Sequence, residues 1–140
     1  MAVHPTCIFC GIISGAAPSV RLYEDDDTLA FMDKHPANDG HCLVVPKAHY
    51  ETIFETPPEV FAAVARAVVR TAAAVQRTLQ PGGLSLVQAN GPIAGQSVMH
   101  VHVHVLPRRA DDNLLINWPR LKEGDPIRIA ELAELIRRQL

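Results

Sequence analysis

The segment His100-Val101-His102-Val103-His104-Val105-Leu106 alternates histidine with valine at a period of two. That period belongs to a β-strand, whose successive side chains point to opposite faces. Read so, the three histidines project from one face at intervals of ~6–7 Å, and the valines turn into a core. A row of buried imidazoles packs no better than valine or leucine, and each ring needs hydrogen-bond partners. The row therefore needs a polar purpose: metal ligation, phosphate chemistry or both. A solvent-facing strand would account for one such histidine, not for three in register. A single ion held by all three fails on reach, because the outer two lie ~13 Å apart on a flat strand. The three histidines must divide their work.

The residues just upstream supply the rest of an anion site. Asn90-Gly91-Pro92-Ile93-Ala94-Gly95-Gln96-Ser97 is a loop between a strand at Leu84–Asn90 and the histidine strand, read as Met99–Pro107. Glycine lets the backbone approach a ligand closely, and successive N–H groups cradle an anion. Asn90 and Ser97 add side-chain donors.

Working outward, Cys7 to Gly15 reads as one or two helical turns. Short strands follow at Val20–Glu24 and Thr28–Asp33, around the turn Asp25-Asp26-Asp27. The cluster His35–Gly40 is a turn, and His41–Pro46 a mostly apolar strand. The longest helix is capped by Thr56, with Pro57 at its first position and Glu59 closing a capping box. Val60, Phe61, Val64, Val68, Ala72, Val75 and Leu79 recur at helical spacing, and Pro81-Gly82-Gly83 ends the run. Ala62, Ala65, Val69 and Ala73 form a second apolar face, which predicts a homodimer interface. A last helix starts near Asp125-Pro126 with Ile129, Leu132, Ala133, Ile136 and Leu140 in one stripe. Strands and helices mix without strict alternation, so the expected class is α+β: a mainly antiparallel five-stranded sheet with helices packed on it. One domain spans 1–140, with a core over about 7–108 and a C-terminal extension over 109–140 that includes Trp118.

The chain has 140 residues, 48% hydrophobic and 20% charged, with a formal net charge of −2. That balance fits a globular domain and gives no bulk attraction to nucleic acid or anionic membrane. The apolar stretch Val60–Val75 is broken by Arg66 and Arg70, so no membrane span is expected, and no signal peptide is read at the start. The expected location is the cytoplasm. Cys7 and Cys10 form a C-x-x-C pair with structural-zinc spacing. Two further ligands would come from His4, His41, His49 or His100. A redox C-x-x-C normally follows a strand, which is lacking here. Cys42 reads as a small buried hydrophobe.

The run His100–Leu106 resembles the signature of the histidine-triad (HIT) family, His-φ-His-φ-His-φ-φ. Asn90 and Gly95-Gln96-Ser97-Val98 resemble its nucleoside phosphoramidate hydrolases. Phe31-Met32-Asp33 and Gly40–Lys47 resemble its nucleotide-pocket strands. Cys7–Ile13 resembles the N-terminal segment of bacterial-type members. The likeness runs from about Cys7 to Arg108.

The resemblance implies a fold whose sheet continues across a homodimer, and a purine-nucleotide substrate. His102 would attack the α-phosphorus of an adenosine or purine phosphoramidate, or of an aminoacyl adenylate, to give a nucleotidyl-histidine. Water would then release a nucleoside monophosphate. A backbone carbonyl on the same strand would hold the other ring nitrogen of His102, with His41 in support. His104 would donate to a phosphate oxygen, the N–H groups near Gln96 and Ser97 would stabilise phosphoryl charge, and the Ser97 hydroxyl would steady the leaving amine. The catalytic set is thus His102, His104, Ser97 and His41. Asp33 would take ribose hydroxyls, and Ile8, Phe9 and Ile12 would line the base, with Asn90 and Gly95 completing the pocket. Nucleotide transferases of the family carry Gln at the third triad position, so His104 points to hydrolysis. The alternatives are dinucleoside polyphosphate hydrolysis and a nucleotide-binding sensor with little turnover. The resemblance also assigns the zinc ligands as Cys7, Cys10, His49 and His100, in a closed structural site with no organic cofactor. A closed site leaves no open position for metal-centred hydrolysis.

Overall fold

The computed structural model describes residues 4–114 and 123–140. Five strands form one sheet: β1 (Arg21–Glu24), β2 (Thr28–Met32), β3 (Cys42–Pro46), β4 (Gly83–Val87) and β5 (Val103–Arg108). Their order is β1-β2-β3-β5-β4, and every neighbouring pair is antiparallel. Three helices accompany them: α1 (Ile8–Ser14), α2 (Pro58–Leu79) and α3 (Pro126–Arg137). This is the expected α+β class. Among the described residues no helix is long and apolar enough to cross a membrane. Trp118 lies outside the described residues.

Strand alternation divides the core between two faces of the sheet. Ala30, Cys42, Val44, Val103 and Val105 meet Val64, Ala67, Val68 and Val75 of α2. Leu29, Phe31, Leu43 and Val45 meet Phe9 and Ile12 of α1. The central strand β3 is buried along its whole length, which explains its unbroken apolar sequence. Arg21 ties α1 down by donating through Nη2 to the Ile12 carbonyl at 2.7 Å. Gly40, with φ +88°, brings the turn before β3 against Leu79 and Pro107; a Cβ there would collide with the Leu79 side chain.

Three local expectations change. Thr56 does not cap α2: Pro57 takes that position without a side-chain bond, and the Thr56 hydroxyl donates to the Thr52 carbonyl at 2.7 Å. Neither Pro57 nor Pro58 has an N–H, so the first turn holds fewer donors to satisfy. The helix ends on Gln80 in the left-handed region (φ 47°), one residue before Pro81. Helix α3 begins where expected, capped by Asp125, whose Oδ1 accepts the Ile127 N–H at 3.0 Å. It buries none of its residues, however, and Ile129, Leu132 and Ile136 stay exposed.

The third change matters most for function. β5 begins at Val103, so His100 and His102 precede the strand rather than lie within it. The pairing of β3 with β5 runs from Cys42–Val105 to Val44–Val103. It stops short of Pro46, which has no N–H to give and whose carbonyl is taken by the His100 ring at 2.8 Å. The His100 N–H turns to the Val98 carbonyl (2.9 Å), and the Val101 N–H to the Tyr50 carbonyl (2.7 Å).

Candidate active site

Only the alternation of the row survives this break, and it suffices to separate the histidines. Val101, Val103 and Val105 are buried, Val103 and Val105 against α2, while His102 and His104 lie on the α1 face. His104 sits between Leu43 of β3 and Val87 of β4. The His102 and His104 ring centroids are 5.0 Å apart, and Phe9 and His102 stand perpendicular with centroids 5.1 Å apart. His100, on the same face, is wholly buried against the start of α1 and the loop after β3.

Hydrogen bonds fix the state of each ring. His102 Nδ1 lies 2.6 Å from the His100 carbonyl, an acceptor, so Nδ1 carries the proton and Nε2 keeps its lone pair. Among the described residues nothing engages that Nε2. Burial lowers the His102 pKa below the usual 6.5, against the opposing pull of the His100 carbonyl and Asp33, so the ring is neutral at physiological pH. Burial, with His102 and His41 nearby, pushes His104 down to about 4. His41 is also lowered by burial, although Asp33 opposes the shift.

His41 stands beside His104, not His102. Its Nε2 is 2.9 Å from His104 Nδ1 and 3.4 Å from Asp33 Oδ2. The other Asp33 oxygen, Oδ1, accepts the His35 N–H at 2.8 Å.

The loop upstream is held by its own side chains. Gln96 is buried: Nε2 donates to the Glu51 carbonyl (2.6 Å) and the Val98 carbonyl (3.0 Å), and Oε1 accepts the Gly91 N–H (2.7 Å). The Gln96 N–H donates to the Gly91 carbonyl at 3.1 Å. Gly95 adopts φ +95° at the end of a single 3₁₀ turn, Pro92–Ala94. Asn90 faces the loop after β3, accepting the Ile53 N–H at 2.7 Å and pairing with Gln88. Ser97 is exposed, and among the described residues neither its hydroxyl nor its N–H has a partner. It lines a cleft of about 230 Å3 with Cys7, Ile8 and Val98. Ile8 is 63% exposed, whereas Phe9 and Ile12 belong to the core. A cavity of about 540 Å3 lies on the opposite face, between β1, β2 and the end of α2, and contains none of these residues.

The four expected metal ligands converge. Cys7 Sγ is 3.5 Å and Cys10 Sγ 3.7 Å from His100 Nδ1; Cys10 Sγ is 3.3 Å from His49 Nδ1, and the two Nδ1 atoms are 3.2 Å apart. Ligands of a tetrahedral zinc, with bonds of ~2.0–2.3 Å, are separated by about 3.3–3.8 Å. His100 Nε2 donates to the Pro46 carbonyl, which leaves Nδ1 as a lone pair aimed at the sulfurs. Of the two other candidates, His41 lies beside His104, and His4 stacks on His49 with centroids 5.0 Å apart.

Sequence reasoning missed a clamp at the end of β5. Arg108 donates through Nε and Nη2 to the two carboxylate oxygens of Asp112, at 2.7 and 3.0 Å. Buried Asn38 bonds both Asp112 and the Pro107 carbonyl. Its only signal was the spacing Arg-x-x-x-Asp.

Comparison with known proteins agrees with this geometry. Adenylylsulfatase HINT3 of Arabidopsis thaliana is 42% identical over 108 residues, 77% of this chain and 55% of that protein. A HIT-family crystal structure from Bacillus subtilis superposes with a TM-score of 0.90 at 36% identity, covering 96% of this chain and 97% of that one. A zinc-bound histidine-triad protein from Mycobacterium smegmatis superposes with a TM-score of 0.74 at 37% identity, covering 95% and 97%. The HIT domain model matches residues 14–111, and the chain belongs to the HIT family.

Proposed function

We propose that this protein hydrolyses purine nucleoside 5′-phosphoramidates or aminoacyl adenylates at the α-phosphorus. The observation that carries the reading is the state of His102: a neutral ring held through Nδ1 by the His100 carbonyl at 2.6 Å, with Nε2 free. That lone pair attacks phosphorus, the bond to the leaving group breaks, and a nucleotidyl-histidine forms. Water then adds to phosphorus and frees the monophosphate and the histidine. His104 donates to a phosphoryl oxygen. The Ser97 N–H stabilises charge there and its hydroxyl steadies the departing amine; the Gln96 N–H is already engaged within the loop. Asp33 takes the ribose through Oδ2, and Phe9 and Ile12 form the floor under the base. The adenylylsulfatase name of the Arabidopsis relative supports an adenylyl-group substrate.

His102→Ala tests this. Turnover of an adenosine phosphoramidate should fall by about 1,000-fold or more, and acid-quenched wild-type protein should yield a nucleotidylated His102 peptide. Full turnover by the variant would remove the assignment. Tight nucleotide binding with no trapped adduct would favour a sensor, and faster cleavage of a dinucleoside polyphosphate would change the leaving group.

Cys7, Cys10, His49 and His100 fit a zinc ion of structural type, which would tie the start of α1 to the loop after β3 and to the segment that enters β5. The zinc-bound mycobacterial relative supports that identity. We also propose a homodimer built on α2 and β4, and a cytoplasmic location consistent with free cysteines, which cell fractionation checks.

A further inference from the structure

Asp33, His41 and His104 gather their ligand atoms within 4.8 Å of one another and so resemble a second metal site. The hydrogen bonds say otherwise. The Ala37 N–H donates to His41 Nδ1 at 3.0 Å. A backbone amide can only donate, so Nδ1 is an acceptor, and the single proton of the neutral ring sits on Nε2. A cation on Nε2 would require an imidazolate. The space between the three side chains is instead filled by that proton, whose nearest acceptor is His104 Nδ1 at 2.9 Å; Asp33 Oδ2 stands farther off at 3.4 Å.

We infer that His41 is a positioning residue which, oriented by the Ala37 amide, fixes the tautomer of His104. Because His104 Nδ1 accepts from His41, the one proton of the His104 ring is placed on Nε2. A neutral imidazole has one N–H, and its placement decides whether the ring can donate to a ligand. The relay thus runs in one direction: Ala37 amide to His41 Nδ1, His41 Nε2–H to His104 Nδ1, His104 Nε2–H to the anion. This rests on the reading of His104 as the donor to a phosphoryl oxygen. It adds the cause: without His41 the His104 proton is free to sit on Nδ1, where it serves nothing. The chain of donors begins at a backbone amide, which cannot reverse.

Long-range ¹H–¹⁵N spectra of the histidine side chains read the tautomers directly, without turnover. In the wild-type protein His41 and His104 should both show a protonated Nε2 and an unprotonated Nδ1. A His104 ring protonated on Nδ1 overturns the relay, whatever the activity. His41→Leu should lose that fixed state and lower kcat about 30-fold, the worth of one strong hydrogen bond, with KM little changed. His41→Gln, whose amide can donate from the same place, should restore the His104 Nε2–H signature and most of kcat. Equal loss in Leu and Gln variants, with the His104 signature unchanged in both, reduces His41 to packing. Should either variant fail to fold, the wild-type spectrum still decides. If His102→Ala keeps full turnover while the tautomers are as stated, the hydrolase reading fails and the relay stands.

Discussion

Each imidazole near the site is defined by what the other side of its ring touches. His100 gives its Nε2 proton to Pro46 and His102 its Nδ1 proton to His100, so neighbouring rings present opposite nitrogens. Burial then keeps them neutral, with His104 held down to about 4 and His102 below 6.5. A pH dependence follows. A nucleophile with the ordinary imidazole value would lose half its free-base form at pH 6.5. Here the acid limb of kcat/KM should lie below 6.5. A pH–rate profile breaking at or above that value would contradict the buried, neutral state. Stability should follow the same sign. Between 6.5 and about 4 the unfolded chain binds a proton at His104 that the folded one refuses, so unfolding becomes easier as pH falls through that window. Above 6.5 the contribution of His104 is constant. Denaturant midpoints measured from pH 8 to pH 4.5 check it.

At the scale of elements, the sequence showed the fold well wherever one period ruled. The apolar stripe of α2, the two-faced burial of β3 and the α+β class all follow from side-chain spacing. Boundaries set by competing hydrogen bonds were not legible. Nothing in His100-Val101-His102 announces that Tyr50 and Val98 will take its backbone, because those partners are fixed by the fold. The same blindness hid the link of His41 to His104, which lie 63 residues apart and meet only through the β3–β5 register. The four-residue convergence was legible in half: the C-x-x-C pair is local, whereas His49 and His100 arrive from a loop and a strand approach. That convergence carries its own prediction. Protein purified without added metal or chelator should contain about one zinc per chain. Cys7→Ser should lower zinc content and stability together, by about 2 kcal/mol or more, because metal binding and local folding are coupled. Zinc-free protein of unchanged stability would end the assignment.

On the whole molecule, the two edges of the sheet are not alike. β1 carries Arg21 and Glu24 and an irregular register between Arg21 and Tyr23, features that blunt an edge against pairing. β4, Gly83-Leu84-Ser85-Leu86-Val87, has no charge and no proline, and its Leu86 is 55% exposed. On α2, Val69 is 70% exposed, and Ala62 and Ala65 are exposed with it. An uncharged edge and an apolar helix face call for a second copy of the chain, which would join β4 to β4 and extend the sheet. Helix α3 has a similar need, since a 12-residue helix is marginal alone and none of its residues is buried. Sedimentation should therefore show a dimer at micromolar concentration, and Val69→Glu or Leu86→Lys should convert it to a monomer. Both side chains are exposed on the single chain, so the fold itself should change by no more than about 0.5 kcal/mol. A wild-type monomer, or a dimer indifferent to both charges, would leave that edge and that helix face to some other partner.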